Sequence, residues 1–297
     1  MAIDLAVVTV AAQGIRMLPL TKSQPREMLP VGRKPAVQYV VDELNTAGCR
    51  RMLFITGPEK ASIENHFSVN ENLVALLRET CREDYLAELD FERQDLDYFF
   101  TRQRRQLGLG HAVLCAKPLV DEANFVVALG DSIIGVGGNS DIVPRLVEEF
   151  ESTGADAVIA IEPIPKESVE QSGIVVPVDR QSNTFRISDI VEKPTADDAP
   201  SNLAVAGRYV FSPKIFQHLE KTSPGKDGQI QLTDGIKSLI AAGGQVRGVL
   251  LREGEHRFDI GDFESYFRTF LEFALADPKY GPALARHLET LVDKQGD

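Results

Sequence analysis

Short apolar runs rich in β-branched residues recur along this chain, with longer helical patterns between them. This alternation restricts the fold more than any other feature. The runs are Ala6–Val10, Met52–Thr56, Phe125–Leu129, Ala157–Ile161 and Val246–Leu251. Between the first two, VQYVVDELNTA (Val37–Ala47) repeats its apolar residues at helical spacing. Strand, helix, strand in repetition implies a parallel sheet covered on both faces. The unalternated VVAL within Phe125–Leu129 fits a strand buried on both sides.

Glu71 to Asp97 is dense in charge and has helical rhythm, which predicts peripheral helices. From Gly173 the pattern changes. GIVVPVD, FRISDIVEKP and NLAVAGRYVF read as strands joined by polar turns, an antiparallel or mixed extension of the sheet. Pro213–Lys221 and Leu232–Ala242 read as helices, the first with Ser212 as its N-cap. DFESYFRTFLEFALA (Asp262–Ala276) is amphipathic and Asp262 could cap it; a last helix covers Pro282–Val292. The apolar face of Phe263, Phe267, Phe270 and Leu271 packs internally or forms a subunit interface. With no linker, repeat or low-complexity segment, one elaborated α/β domain is expected.

The 297 residues, 43% of them hydrophobic, suffice for a large core. A formal net charge of −12 argues against a broad nucleic-acid surface, which needs clustered positive charge. The one dense basic stretch, Arg102, Arg104 and Arg105, is a solvated loop or a phosphate-facing one. Cys49, Cys81 and Cys115 show neither metal spacing nor a disulfide framework. Cys49 and Cys115 sit among apolar residues as packing groups, and a reducing cytoplasm fits. The N-terminal stretch has no basic region and too short an apolar run for a membrane span, so no membrane association is expected.

In open α/β sheets ligands collect at the carboxyl ends of strands, and four stretches fall there. Ala11 to Met17 is a small-residue loop with Arg16, able to bring backbone N–H groups to a phosphate. It matches neither the dinucleotide fingerprint nor the P-loop. GLGHA (Gly108–Ala112) opens a helix and allows close backbone approach, or is an ordinary glycine-rich entry; His111 fits capping or packing. LGDS (Leu129–Ser132) puts Asp131 at a strand end, where it forms a turn or, with Asp259 of FDIGD, binds Mg²⁺ through hard oxygen ligands. VEKP (Val191–Pro194) offers Glu192 to hydroxyls and Lys193 to a phosphate, or is a surface ion pair before a proline turn.

MLPLTKSQPREMLPVGRKPAVQYVVDEL, SIENHF, GLGHAVLCAKP, VEKP, NLAVAGRYVFS and IQLTDGI occur in one order. Together they closely resemble the bacterial UTP–glucose-1-phosphate uridylyltransferases, of the sugar-nucleotidyltransferase family, from about residue 6 to about residue 275. The resemblance implies a Rossmann-like, mixed but mainly parallel sheet flanked by helices, with a smaller antiparallel sugar-binding extension. It divides the single domain, 1–297, into a nucleotide-binding core (about 1–165), a sugar-phosphate part (about 166–260) and C-terminal helices (about 261–297). It implies that UTP and glucose 1-phosphate give UDP-glucose and pyrophosphate with Mg²⁺, by in-line attack on the α-phosphorus. It also suggests a homodimer or homotetramer. By resemblance, backbone groups of Ala11, Ala12 and Gly14 contact the nucleotide, and Arg16 holds the triphosphate. Arg26 takes the place of a phosphate-binding lysine. Gln103 and Gly108 read the uracil edge. Asp131 and Asp259 hold Mg²⁺. Gly173, Glu192 and Lys193 hold glucose 1-phosphate, Lys193 at its phosphate.

Departures concentrate in the opening loop, where the family usually has Gly-Leu-Gly-Thr-Arg and this chain has Ala12, Gln13, Gly14, Ile15 and Arg16. If position 12 needs φ > 0, the Ala12 methyl adds strain on the order of 1 kcal/mol. Ile15 removes a hydroxyl donor, and a hydrogen bond lost to a charged phosphate costs roughly 1.5–3 kcal/mol. Arg26 for lysine keeps the charge but not the shape. Gln229 replaces a frequent glutamate, a minor change. Two alternatives follow: a weakly active or inactive relative that binds nucleotide sugar and regulates a partner, and an enzyme using dTTP or another sugar 1-phosphate.

Overall fold

The computed structural model describes residues 3–178, 182–225 and 228–295. A nine-stranded sheet runs in the order Asp97–Arg102, Arg51–Thr56, Leu5–Thr9, Phe125–Leu129, Leu203–Phe211, Ala157–Pro163, Val246–Leu250, Thr184–Glu192, Gly173–Val178. The strands from Asp97–Arg102 to Phe125–Leu129 are parallel. Leu203–Phe211 then lies antiparallel between Phe125–Leu129 and Ala157–Pro163. Val246–Leu250 is parallel to Ala157–Pro163, and the two strands beyond it pair antiparallel. The sheet is thus mixed, as the resemblance implies.

One expectation about the sheet needs correction. NLAVAGRYVF is no peripheral extension: Leu203–Phe211 sits mid-sheet with every residue buried. Its local pattern fits a strand anywhere, and only pairing partners place it. The charged stretch is helical as expected, in Glu71–Glu79, Glu83–Ala87 and the 3₁₀ turn Asp90–Arg93, and Asp97–Arg102 follows it as an edge strand. Its ladder to Arg51–Thr56 and the stacking of Phe100 on Phe54 (centroids 5.2 Å apart) fix it there. The last residue of GIVVPVD, Asp179, lies outside the described residues.

Helices cover both faces as expected. Ala36–Thr46 and Ile142–Thr153 seat Val40, Leu44 and Leu146 on one side. Leu109–Leu114, Lys214–Lys221 and Leu232–Ala241 seat Val113, Phe216 and Ile236 on the other. Burying each such side chain contributes about 1.5–3 kcal/mol. Phe263–Ala276 buries Tyr266 and Phe273 against Tyr39 and Phe258, while Phe267, Phe270 and Leu271 stay exposed. Asp262 caps this helix in a reciprocal capping box with Ser265. Ser212 does not cap: the Lys214–Lys221 helix starts after Pro213, and the buried Ser212 hydroxyl has no partner among the described residues. The last helix spans Gly281–Gln295. No helix among the described residues is long and apolar enough to cross a membrane.

Leu5–Thr9 has Arg51–Thr56 on one side and Phe125–Leu129 on the other. Strand order reverses at this point, which opens a crevice beyond the carboxyl ends at Thr9 and Leu129.

Candidate functional site

A cavity of about 540 Å³ fills that crevice. Of the expected site residues, Ala11, Ala12, Gly14, Arg16, Arg26, Gln103, Gly108 and Asp131 line it. The exposed Arg102, Arg104 and Arg105 do not, which favours the solvated loop.

After Thr9 the chain turns through Ala11–Gly14 into a short 3₁₀ turn, Ile15–Met17. Gly14 adopts φ 67°, and a Cβ there would stand 3.1 Å from Thr21 Cγ2 and 3.2 Å from Arg26 Cβ. The turn therefore requires glycine at 14. Ala12 is not among the residues with positive φ, so its methyl adds no left-handed strain. Among the described residues, the backbone N–H groups of Ala12, Gln13 and Gly14 have no protein acceptor. Free N–H groups on a small-residue turn make an anion-binding concavity. Ile15 is 68% exposed at its rim.

The opposite wall comes from GLGHA. Gly108 has φ 97°, and a Cβ on it would approach Ile230 O to 2.7 Å. Gly110 N–H donates to Ile230 O at 2.9 Å, so the GLGHA and IQLTD motifs pack backbone to backbone. The buried Gln103 donates its amide N–H to Gly108 O at 3.0 Å and faces His111 Nδ1 at 2.9 Å. Its carbonyl oxygen is left for an N–H donor such as an imide. Burial lowers the His111 pKa, and the ring serves as a packing partner of Gln103.

Ser132–Ile134 pairs antiparallel with Arg257–Asp259, placing Asp259 opposite Ser132. The acids Asp131 and Asp259, far apart in sequence, converge. Burial, then repulsion from Asp131, raises the Asp259 pKa. Asp259 also accepts from Gly261 N–H and lies 3.5 Å from Arg257 Nη1. Arg26 forms an ion pair with Asp131, and among the described residues its Nε is buried without a partner. Two carboxylates form a hard oxygen set of the size used by Mg²⁺ when phosphates and water complete its shell. No cluster of three or more metal-ligating side chains exists among the described residues, so any ion here would depend on a bound phosphate.

Gly173, Glu192 and Lys193 form a second cluster that does not line the cavity. Glu192 accepts from Thr233 Oγ1 at 3.0 Å, and Lys193 Nζ lies 3.6 Å from Glu192 Oε1. A Cβ on Gly173 would approach Thr233 Cγ2 to 2.8 Å and Glu192 Oε2 to 3.3 Å. Lys193 has φ 45°, an uncommon conformation for a side-chain-bearing residue, and one found at functional sites. Its side chain is exposed and its ammonium pairs with the adjacent Glu192 carboxylate.

Several side chains that sequence pattern did not mark support the site. Lys60 pairs with Glu27 at 2.7 Å and also donates to Ala12 O. Gln106 donates to Ala11 O. Arg208, fully buried, pairs with Glu43 and donates to Ser132 O at 2.8 Å. The signal for Arg208 was a lone charge inside an apolar strand, which demands a buried partner. Glu27 and Lys60 gave no such signal, because each follows an opposite charge in sequence, Arg26 and Glu59, and reads as one member of a local charged pair. The cysteines are free: Cys49 is buried as expected, while Cys115 is only partly buried.

The nucleotidyl transferase family model matches residues 5–274. A UTP–glucose-1-phosphate uridylyltransferase of Bacillus subtilis is 35% identical over 291 residues, covering 98% of this chain and 97% of its own. The solved UTP-bound UGPase from Acinetobacter baumannii superposes with a TM-score of 0.87 at 37% identity, covering 96% of this chain and 98% of that one. A UDP-glucose pyrophosphorylase complexed with UDP-glucose gives 0.81 at 32% identity, with coverages of 90% and 97%.

Proposed function

The chain belongs to the nucleotidyl transferase family, among the UTP–glucose-1-phosphate uridylyltransferases, and from that premise we propose that it transfers UMP from UTP to glucose 1-phosphate, releasing pyrophosphate. One observation carries this reading. A loop with free N–H groups, two arginines and one acid of a convergent pair surround a single cavity at the sheet's switch point. The solved relatives described as UTP-bound and as complexed with UDP-glucose support the same substrates.

In this reading the Gln103 carbonyl accepts the uracil imide N–H, beside the Gly108 backbone. Backbone groups of Ala11, Ala12 and Gly14, together with Arg16, cradle the triphosphate. Asp131 and Asp259 would hold Mg²⁺, which when bound would neutralise phosphate charge. Arg26, which lines the cavity beside Asp131, offers its guanidinium charge to the phosphates. Glu192 and the Gly173 backbone orient the sugar hydroxyls, and Lys193 holds the sugar phosphate. That phosphate's oxygen attacks the α-phosphorus in line, and pyrophosphate leaves. Catalysis is then positioning and charge neutralisation, with no covalent enzyme intermediate.

The chain acts as one unit, with nucleotide contacts in about 1–165, sugar-phosphate contacts in about 166–260 and helices in about 261–297. The exposed Phe267, Phe270 and Leu271 support a homodimer or homotetramer, and the free cysteines a reducing cytoplasm. The deciding experiment is pyrophosphate release with glucose 1-phosphate and each of UTP, dTTP, ATP, CTP and GTP. Release with UTP above the others is expected. No release by folded protein at millimolar substrate overturns the reading, and a preference for dTTP moves it to a neighbouring activity.

A further inference from the structure

Two carbonyls of the loop after Thr9 are held by side chains. The Gln106 amide nitrogen donates to Ala11 O at 2.8 Å, and the Lys60 ammonium donates to Ala12 O at 2.7 Å. A trans peptide is planar, so its N–H points opposite to its C=O. Fixing these carbonyls therefore turns the N–H groups of Ala12 and Gln13 away from Gln106 and Lys60. Ala12 and Gln13 line the cavity, and among the described residues these N–H groups have no acceptor.

Lys60 is itself immobilised. Its side chain is 5% exposed and Glu27, its partner at 2.7 Å, is 1% exposed. A buried ammonium persists only with a fixed counter-charge, which Glu27 supplies. Glu27 follows Arg26, whose guanidinium meets Asp131. One run of contacts thus joins the loop, the Arg26 segment and the acid pair. The Glu27–Lys60 pair adds no net charge, so its effect on an anion comes mainly through the loop's geometry.

We propose that Lys60, fixed by Glu27, and Gln106 are positioning residues that pre-set the Ala12 and Gln13 peptide planes as a cradle for the nucleotide's phosphates. The proposal rests on reading the cavity as the phosphate site. Preorganised donors bind more tightly than donors that must be ordered at the moment of binding.

The test measures binding of inorganic tripolyphosphate and of UTP to the full chain by calorimetry, alongside turnover. The Glu27→Gln/Lys60→Met double variant removes both charges together, so net charge is unchanged and no buried ion is stranded. Gln106→Ala tests the second carbonyl separately. With thermal midpoints near wild type, tripolyphosphate affinity should fall about tenfold in the double variant and about threefold in Gln106→Ala. KM for glucose 1-phosphate should hold in both. Unchanged tripolyphosphate affinity in the folded double variant overturns the positioning role and leaves the uridylyltransferase reading to stand on turnover. Affinity that depends on Lys60 and Gln106 without pyrophosphate release upholds the cradle and overturns that reading. If the double variant does not fold, Gln106→Ala decides, and unchanged affinity there overturns the proposal.

Discussion

The Arg208 guanidinium embraces the Glu43 carboxylate, with Nη2 at 2.7 Å and Nε at 3.1 Å from the same oxygen, and both side chains are buried. The same guanidinium donates to Ser132 O and reaches Leu129 O at 3.5 Å. It therefore grips the backbone on both sides of Asp131. Arg208→Met leaves Glu43 buried without its counter-charge and should cost about 3–5 kcal/mol. The Glu43→Gln/Arg208→Met double variant should recover much of that loss. Denaturant unfolding of the three proteins checks this, and equal stability of the single and double variants would contradict it.

Asp131→Asn should abolish turnover if the acid pair holds a metal, because one of its two carboxylates is gone. The variant should stay folded, since Asp131 lies at the cavity wall. Pyrophosphate release and circular dichroism measured together separate lost chemistry from lost structure.

Gly14→Ala should be damaging while Ala12→Gly is close to silent. At 14 the new methyl meets Thr21 and Arg26 and must adopt φ 67°, costing about 1–2 kcal/mol. At 12 there is no left-handed strain to relieve. Ile15→Thr adds a donor at the rim and should raise kcat/KM for UTP by about tenfold. Steady-state kinetics of the three variants tests the set; a large gain from Ala12→Gly would sink this account of the loop.

Asp262 accepts from Ser265 N–H at 2.9 Å, and this backbone hydrogen bond holds its carboxyl below the ordinary 3.8. A carboxyl with a depressed folded pKa stabilises the fold above its unfolded pKa, and the contribution disappears as pH falls through the folded value. Asp262→Ala should cost about 1 kcal/mol at neutral pH. The gap to wild type should narrow as pH drops below 3.8. Stability curves of both proteins against pH measure this; a gap constant into acid would contradict it.

Much of the architecture was legible because burial writes itself into sequence. Phe125–Leu129 had to be covered on both faces, and Asp262 had to start a helix. The position of Leu203–Phe211 was not legible, because its neighbours are chosen by pairing with residues 80 to 86 positions earlier on one side and 40 to 54 earlier on the other, which no local pattern specifies. Among site residues, Arg16 and Asp131 stood out by charge at strand ends. Lys60 and Gln106 did not, because what they hold is main chain, and a carbonyl has no letter in the sequence.

Leu203–Phe211 has one more consequence, for synthesis. This strand joins Phe125–Leu129 to Ala157–Pro163, which do not pair with each other. Until it leaves the ribosome, both of those strands keep an open hydrogen-bonding edge, the kind that recruits other chains. A nascent chain ending before Leu203 is therefore the species most in need of a chaperone, and a stop there should yield aggregate rather than half an enzyme.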